Sequence, residues 1–238
     1  MESEQLALQP SDMGIISRII GIIFSPGKTF RAIQKKPNWL IPAILLVIIT
    51  LGFSLVTKPI LLKETEAQVR EQLIKQNLTP AQIEQAIERM QKTTNIMIFV
   101  GPTVGYFIIL FVLAAVWLFI ANTILGGNAT YSQILGVNVY KDVLGILAMV
   151  VKLPIMLIQN TMNIHFSLAT FLPDTEQSTF FYKILSKVEV FNIWMIIVLS
   201  IGIGVMSRTS TKKAWPWVAM IFIIWYLATT GLTSLVGK

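Results

Sequence analysis

The chain contains no cysteine and one histidine, His165, in 238 residues. Without thiols there is no disulfide, no cysteine-ligated metal and no thiol nucleophile. A lone histidine, with neither cysteine nor a carboxylate cluster near it in the sequence, gives no basis for a zinc site or a histidine-based triad. No P-loop, GxSxG or HExxH occurs, so the sequence shows no catalytic equipment and no cofactor is expected. Charge is scarce as well. Asp, Glu, Lys and Arg make up 13% of the residues while 54% are hydrophobic, against about 25% charged in soluble domains. The apolar excess must face something other than water.

The missing charge is missing in blocks. Residues 39–57, 96–125, 189–206 and 214–236 carry no Asp, Glu, Lys or Arg apart from Glu189 at one edge. A bilayer core about 30 Å thick needs about 20 apolar helical residues, so these stretches read as spans. A fifth run, 134–159, is apolar but holds Lys141, Asp142 and Lys152. The first twelve residues are polar and include Glu2, Glu4 and Asp12, where a cleavable signal would place a basic and then an apolar region. The first span is therefore expected to act as its own insertion signal.

The charge that is present sums to +7, and much of it flanks the spans, which favours phospholipid head groups over nucleic acid as partner. In residues 13–24, MGIISRIIGIIF, the positions Gly14, Ser17, Arg18 and Gly21 fall on one narrow helical stripe opposite a broad isoleucine face. Such a segment is too short to cross, and is expected to lie in the membrane plane or pack against the spans. Ser25 and Pro26 offer a cap and first residue for a second short helix that Pro37 stops. Lys28, Arg31 and Lys35 line one side of it, with Phe30 and Ile33 placed to dip into the interface. Together with Arg18 and Lys36 these form a juxtamembrane collar, and Trp39 then opens the first span as an interfacial aromatic.

Between the first two spans lies the one long polar stretch, 63–92. Asn77 is suited to end one helix, and Thr79, Pro80 and Gln82 to cap the next, so a helical hairpin outside the bilayer is expected, either a solvated spacer or a docking surface. Lys58 and Pro59 close the first span. Gly101 with Gly105, and Gly202 with Gly204, would let helices approach closely, in this chain's own bundle or in a homodimer. With five spans and the N-terminus inside, eight Lys and Arg lie inside and nine outside. The densest short loop, 207–213, carries Arg208, Lys212 and Lys213 on the same side as the collar, and short loops weigh most. The expected orientation is N-terminus inside and C-terminus outside.

In the fifth run Asn138, Lys141 and Asp142 share one side of a helix, and Lys141, Gly145, Ala148 and Lys152 recur along it. Neighbouring side chains on a helix do not face each other, so Lys141 and Asp142 are not expected to pair. Two readings stand. One makes this stripe, with Asn122, Asn192 and Glu189 as possible neighbours, the polar lining of a cavity in a transporter, channel or lipid-moving protein. The other starts the membrane portion near Val143, leaving only Lys152 to snorkel.

Four segments resemble the Yip domain family, named after Ypt/Rab-interacting membrane proteins: FSPGKTFRAIQKKPNWLIP, LTPAQIEQAIERM, GGNATYSQILGVNVYKDVLG and KVEVFNIWMIIVLSIGIGVMSRTSTKKAW. The resemblance, to the bacterial type, covers about residues 13–236, with Glu189 standing where an Asp is expected. It implies an all-α polytopic bundle of five transmembrane helices with a cytoplasmic N-terminus and exterior C-terminus, in a bacterial inner membrane. Eukaryotic members bind small GTPases in vesicle trafficking. The expected organisation is a tail (1–12), interfacial helices and collar (13–37) and the membrane domain (38–238). The expected function is a non-enzymatic scaffold whose partners are the bilayer and its anionic head groups, with a second copy or another membrane protein as further candidates.

Overall fold

The computed structural model describes residues 13–164, 166–172, 179–186 and 188–236. The polar tail 1–12, His165, Lys187 and Lys238 lie outside the described residues. Within these the chain is helical: α1 (Ile15–Phe24), α2 (Pro26–Lys35), α3 (Leu40–Lys75), α4 (Pro80–Val100), α5 (Tyr106–Phe119), α6 (Tyr131–Gln159), α7 (Phe180–Leu185), α8 (Val190–Met206) and α9 (Thr211–Val236). Four helical stretches are long and apolar enough to cross a membrane: Leu40–Lys75, Pro80–Ile124, Tyr131–Gln159 and Thr211–Gly231. Helix α8 has 17 residues, about 25 Å at 1.5 Å per residue, slightly less than the hydrocarbon thickness.

Local chemistry sets most of the boundaries. Ser25 stands at the N-cap of α2, but its hydroxyl makes no cap bond; Pro26 fills N1, and Pro37 follows the last turn. Lys58 and Pro59 do not close α3, which continues to Lys75. An interior proline removes one hydrogen bond, here to the Leu55 carbonyl, and the polar helix formers that follow favour continuation over ending the helix. Asn77 stops α3 in the left-handed region (φ 56°), with the Leu78 N–H returning to the Leu73 carbonyl at 3.3 Å, a Schellman closure. Thr79 and Gln82 form the reciprocal capping box that starts α4.

Gly101–Gly105 is a π-helical turn between α4 and α5. Pro102 has no N–H to continue the ladder, and the widened turn keeps its ring from the Ile98 carbonyl. Neither Gly101 nor Gly105 has an atom within 4 Å of where a Cβ would stand. Among the described residues no helix approaches either glycine, and the pair lies in the π turn.

The chain divides into two compact units, each discontinuous in sequence. The first takes the described parts of Met1–Ile44, Leu110–Leu147 and His165–Lys238; the second takes Leu45–Ile109 and Ala148–Ile164. In the first unit the N-terminal half of α6 forms the core: residues 134–141 are buried without a break, so this helix has no lipid-facing side there. Around it lie Phe30, Ala32 and Ile33 of α2 and Leu199, Ile203 and Met206 of α8, all buried. Phe30 and Ile33 thus fill protein rather than the membrane interface. Two glycines permit the approach. A Cβ on Gly202 would stand 2.6 Å from Val137 Cγ1 and 3.0 Å from Phe30 Cζ, and one on Gly136 would stand 2.7 Å from Ile33 Cγ2. Gly204 brings α8 against the backbone of Thr209–Thr211, the nearest atom 3.2 Å from its would-be Cβ.

In the second unit α3 and α4 are joined by polar contacts. Arg70 pairs with Glu84 at 2.7 Å and with Glu66 at 3.1 Å, and Gln91 donates to Glu66 at 3.1 Å. Ile83 and Ile87 are buried on α4. Glu64 accepts from the Thr161 hydroxyl at 2.6 Å and the Met162 N–H at 3.0 Å, holding the chain as it leaves α6.

Gly202→Leu is expected to force Val137 and Phe30 apart and lower stability by about 1–3 kcal/mol, while Gly101→Ala should be close to neutral; thermal unfolding in detergent measures both. Hydrogen bonding to Arg70, reinforced by its charge, holds the Glu84 carboxyl below its ordinary value. A depressed carboxylate pKa stabilises above the unfolded value, about 4.3, and that contribution is lost as pH falls through the folded value. Protection of the amides of 66–91, taken relative to their intrinsic exchange rates, should therefore be unchanged from neutral pH to about 5 and fall below about 4, and Glu84→Gln should lessen this acid dependence while Glu71 and Glu88, held low by Lys75 and Lys92, keep their share.

Candidate cationic face and buried polar groups

Three segments distant in sequence meet in the first unit. Gln34 donates to the Val205 carbonyl at 2.9 Å, and Gln133 donates to the Gln34 carbonyl at 2.8 Å. A Cβ on Gly127 would stand 2.5 Å from the Ser207 Cα. The end of α2, the 126–133 turn and the link after α8 are thereby tied together. Lys28, Arg31, Lys35, Lys36, Arg208, Lys212 and Lys213 are all exposed, and residues 13–37, 126–133 and 207–213 contain no Asp or Glu. The three segments so joined expose seven cations and contain no acid. Arg208 ends α8 in the left-handed region (φ 54°), with the Thr209 N–H returning to the Gly204 carbonyl at 2.9 Å.

Arg18 does not join this surface. It is 1% exposed: its Nε donates to the Met13 carbonyl at 2.9 Å and its Nη1 to the Lys36 carbonyl at 2.8 Å and to Asn38 Oδ1. Asn38 Oδ1 also accepts from the Tyr140 hydroxyl at 3.2 Å. The guanidinium fork therefore binds α1 to the α2–α3 link and, through Asn38, to the core helix α6. Of the polar stripe of α1 only Arg18 and Gly21 turn inward, Gly21 lying against Thr29 and Ile22 buried beside them, while Gly14 and Ser17 are exposed together with the apolar Ile16, Ile20 and Phe24. The exposed isoleucine and phenylalanine side chains suit a helix with hydrocarbon on its outer side.

The expected polar stripe of α6 is divided. Lys141 and Asp142 form an ion pair despite being adjacent. The four-carbon lysine stem is long enough to fold back around the helix, and both groups are largely withdrawn from water, where an unpaired charge is costly. Asn138 is 1% exposed and donates to the Ile134 carbonyl at 3.2 Å, its Oδ1 having no partner among the described residues. Lys152 belongs to the second unit. Asn122 is occupied with the backbone of Ala129, accepting from its N–H at 2.7 Å and donating to its carbonyl at 2.9 Å, which clamps the turn into α6. Glu189 is buried at the N-cap of α8 and pairs with Ser167 in an isolated antiparallel bridge. Asn192 lines an apolar cavity of about 230 Å³ with Ile193, Trp215 and Tyr226.

The model of the Yip1 domain matches residues 20–233. The chain belongs to the Yip1 domain family. Comparison with curated proteins and with solved structures gives no match. As a Yip1-domain protein with several membrane-length apolar helices it is a multi-pass helical membrane protein. The matched region includes Arg18's partners Lys36, Asn38 and Tyr140, the turn at Gly126–Gly127 and the 207–213 link.

The Arg18 clamp and the Gln34–Gln133–Val205 chain were not foreseen from the sequence. One available signal was Arg18 itself, the one charge in a ten-residue helix that otherwise holds isoleucine, glycine, serine and phenylalanine. Arg18→Lys, which keeps the charge but loses the planar fork, should loosen α1: amide exchange at 15–24 is expected to rise while α8 is unaffected. Arg18→Met should cost about 2–3 kcal/mol in thermal unfolding.

Proposed function

We propose that this Yip1-domain protein is a non-enzymatic scaffold that organises the membrane around it by gathering anionic lipids beneath one face. The observation that carries the reading is the convergence of Lys28, Arg31, Lys35 and Lys36 with Arg208, Lys212 and Lys213 on a surface whose segments contain no acid. Each cation near an anionic leaflet contributes about 1 kcal/mol. The outward apolar ridge of α1 supplies the matching hydrophobic anchor.

In this reading α8 is the fifth span, tilting little and drawing the bilayer in by a few ångströms. The N-terminus is cytoplasmic and the C-terminus exterior in a bacterial inner membrane, and the Lys63–Lys92 segment is a helical hairpin outside the bilayer on the exterior side. Tying the N-terminal collar, the 126–133 turn and the 207–213 link into one surface supports this arrangement, because an N-in, five-span chain brings those three segments to the same side. Gly101 and Gly105, with nothing packed on them among the described residues, are where a second copy would close on the chain. Transport is the weaker reading: Lys141 and Asp142 neutralise each other, and Asn122 is committed to Ala129.

In bilayers mixing phosphatidylglycerol and phosphatidylethanolamine, the purified protein is expected to retain the anionic lipid in excess over bulk. The Lys28→Gln, Arg31→Gln, Lys35→Gln, Lys36→Gln variant should lose that excess, by about 1 kcal/mol per charge, as read by mass spectrometry of co-purified lipid. Retained lipid of bulk composition in the unaltered protein refutes the proposal. Since the chain has no native cysteine, single cysteines report topology directly. Asn128→Cys should react only from the cytoplasmic side, and Gln76→Cys only from the exterior.

A further inference from the structure

A groove of about 470 Å³ in the first unit runs along the outer side of α1 to the start of α2. Ile16, Ile20 and Phe24 recur every four residues on its apolar side, each at least half exposed. From Ile16 to Phe24 this row is about 12 Å long. Ser17 lies along it, and Ser25 and Lys28, both exposed, line the groove where α1 gives way to α2. Gly21 sets that geometry. A Cβ there would stand 2.5 Å from Thr29 Oγ1 and 3.1 Å from Met13 Cε, so the absent side chain lets α1 lie close on α2, and Lys28 shares one groove with the apolar row.

The groove is amphiphilic and its charge has one sign. Among the described residues no acid lines it, and residues 13–37 contain none. Helix α1 has ten residues, too few to cross, and it packs on the cationic α2, which the scaffold reading puts at the level of lipid phosphates. Large apolar side chains at that level meet interfacial water, and a hydrocarbon chain laid over them removes their surface from it. The fitting occupant therefore has an apolar chain and, next to it, a negative group for Lys28, whose three donors suit phosphate oxygens. A phospholipid of net negative charge meets both requirements. A zwitterionic one brings its own ammonium to a groove with no acid to receive it. The volume is that of a small-ligand site and smaller than a whole phospholipid, so the second chain stays in the leaflet.

We infer that this groove holds one anionic phospholipid of the phosphatidylglycerol type, its phosphate at Lys28 and Ser25 and one acyl chain along Ile16, Ile20 and Phe24. The inference rests on the scaffold reading for the level of α1 and sharpens it: one lipid is held at a fixed place, beside the many gathered by charge alone.

The test takes the full chain from bilayers of equal parts phosphatidylglycerol and phosphatidylethanolamine into detergent and counts the lipid retained per chain by native mass spectrometry, with the anionic excess around the protein measured in parallel in the bilayer. One phosphatidylglycerol per chain is expected. Lys28→Gln should lower its retention relative to phosphatidylethanolamine about fivefold, the effect of one charge. The double variant Ile20→Ser, Phe24→Ser should lose the retained lipid while keeping the bilayer excess, because it leaves every cation in place and changes only exposed side chains, where the cost to folding is small. Ile158→Ser, which removes an exposed apolar side chain of the second unit, should retain the lipid. No lipid held at one per chain, equal retention of phosphatidylethanolamine, or retention by the double variant overturns the inference, and with the bilayer excess intact the scaffold reading survives it. Loss of that excess from the unaltered protein removes both.

Discussion

The interaction on which the rest depends is the contact of α6 with α2 and α8, permitted by the absent side chains of Gly136 and Gly202. In lipid, helices gain little from hiding apolar surface from one another, since hydrocarbon solvates them as well as protein does. Association then rests on how closely backbones approach and how many van der Waals contacts follow. Val137 against Gly202 and Ile33 against Gly136 are such approaches, and they make the N-terminal half of α6 an element buried on every side. Phe30 and Ile33 belong to a helix that would otherwise lie at the membrane surface. For them burial removes contact with interfacial water, and the ordinary hydrophobic term adds to the packing.

From this contact the cationic face follows. Once α2 is fixed on α6 and α8, its basic side points away from the core, and the C-terminal end of α8 delivers Arg208 and the start of α9 to the same place. The hydrogen bonds from Gln133 to Gln34 and from Gln34 to Val205 fix that register. Arg18 has a different part. Its charge is spent on carbonyl oxygens inside the protein, and this keeps α1 alongside α2 with Ile16, Ile20 and Phe24 outward. A cation that hydropathy assigns to the lipid surface is thus a fastening in the interior. Seven like charges gathered on one surface repel one another in water, and an anionic leaflet relieves that repulsion.

Membrane helices were legible because they report on their solvent. Uncharged runs of about 20 residues have few alternatives, and the limits of α6 and α8 fall within a few residues of the sequence reading. Capping chemistry at Asn77, Thr79 and Gln82 was legible for the same local reason: cap and partner lie within three to five residues. The errors came where a residue's partner is distant or the alternatives are close in energy. Pro59 does not enforce the stop its sequence suggests, and of the two contacts open to Gly101 and Gly105, the one within the chain does not form among the described residues. Lys141 and Asp142 were judged too poorly oriented to pair, because residue spacing describes Cβ directions and not the reach of a long flexible stem.

Composition and periodicity were enough to specify which segments are membrane-length apolar helices, the helical class, the caps at Asn77, Thr79 and Gln82, and the motifs that carry the family resemblance. All of these are properties of one segment and its surroundings. Which glycines touch a neighbour and which of the basic residues turn inward depend on the rotation and depth of whole helices against one another. Those are set by many small contacts between residues from about twenty to more than a hundred positions apart, and no pattern within a single segment contains them.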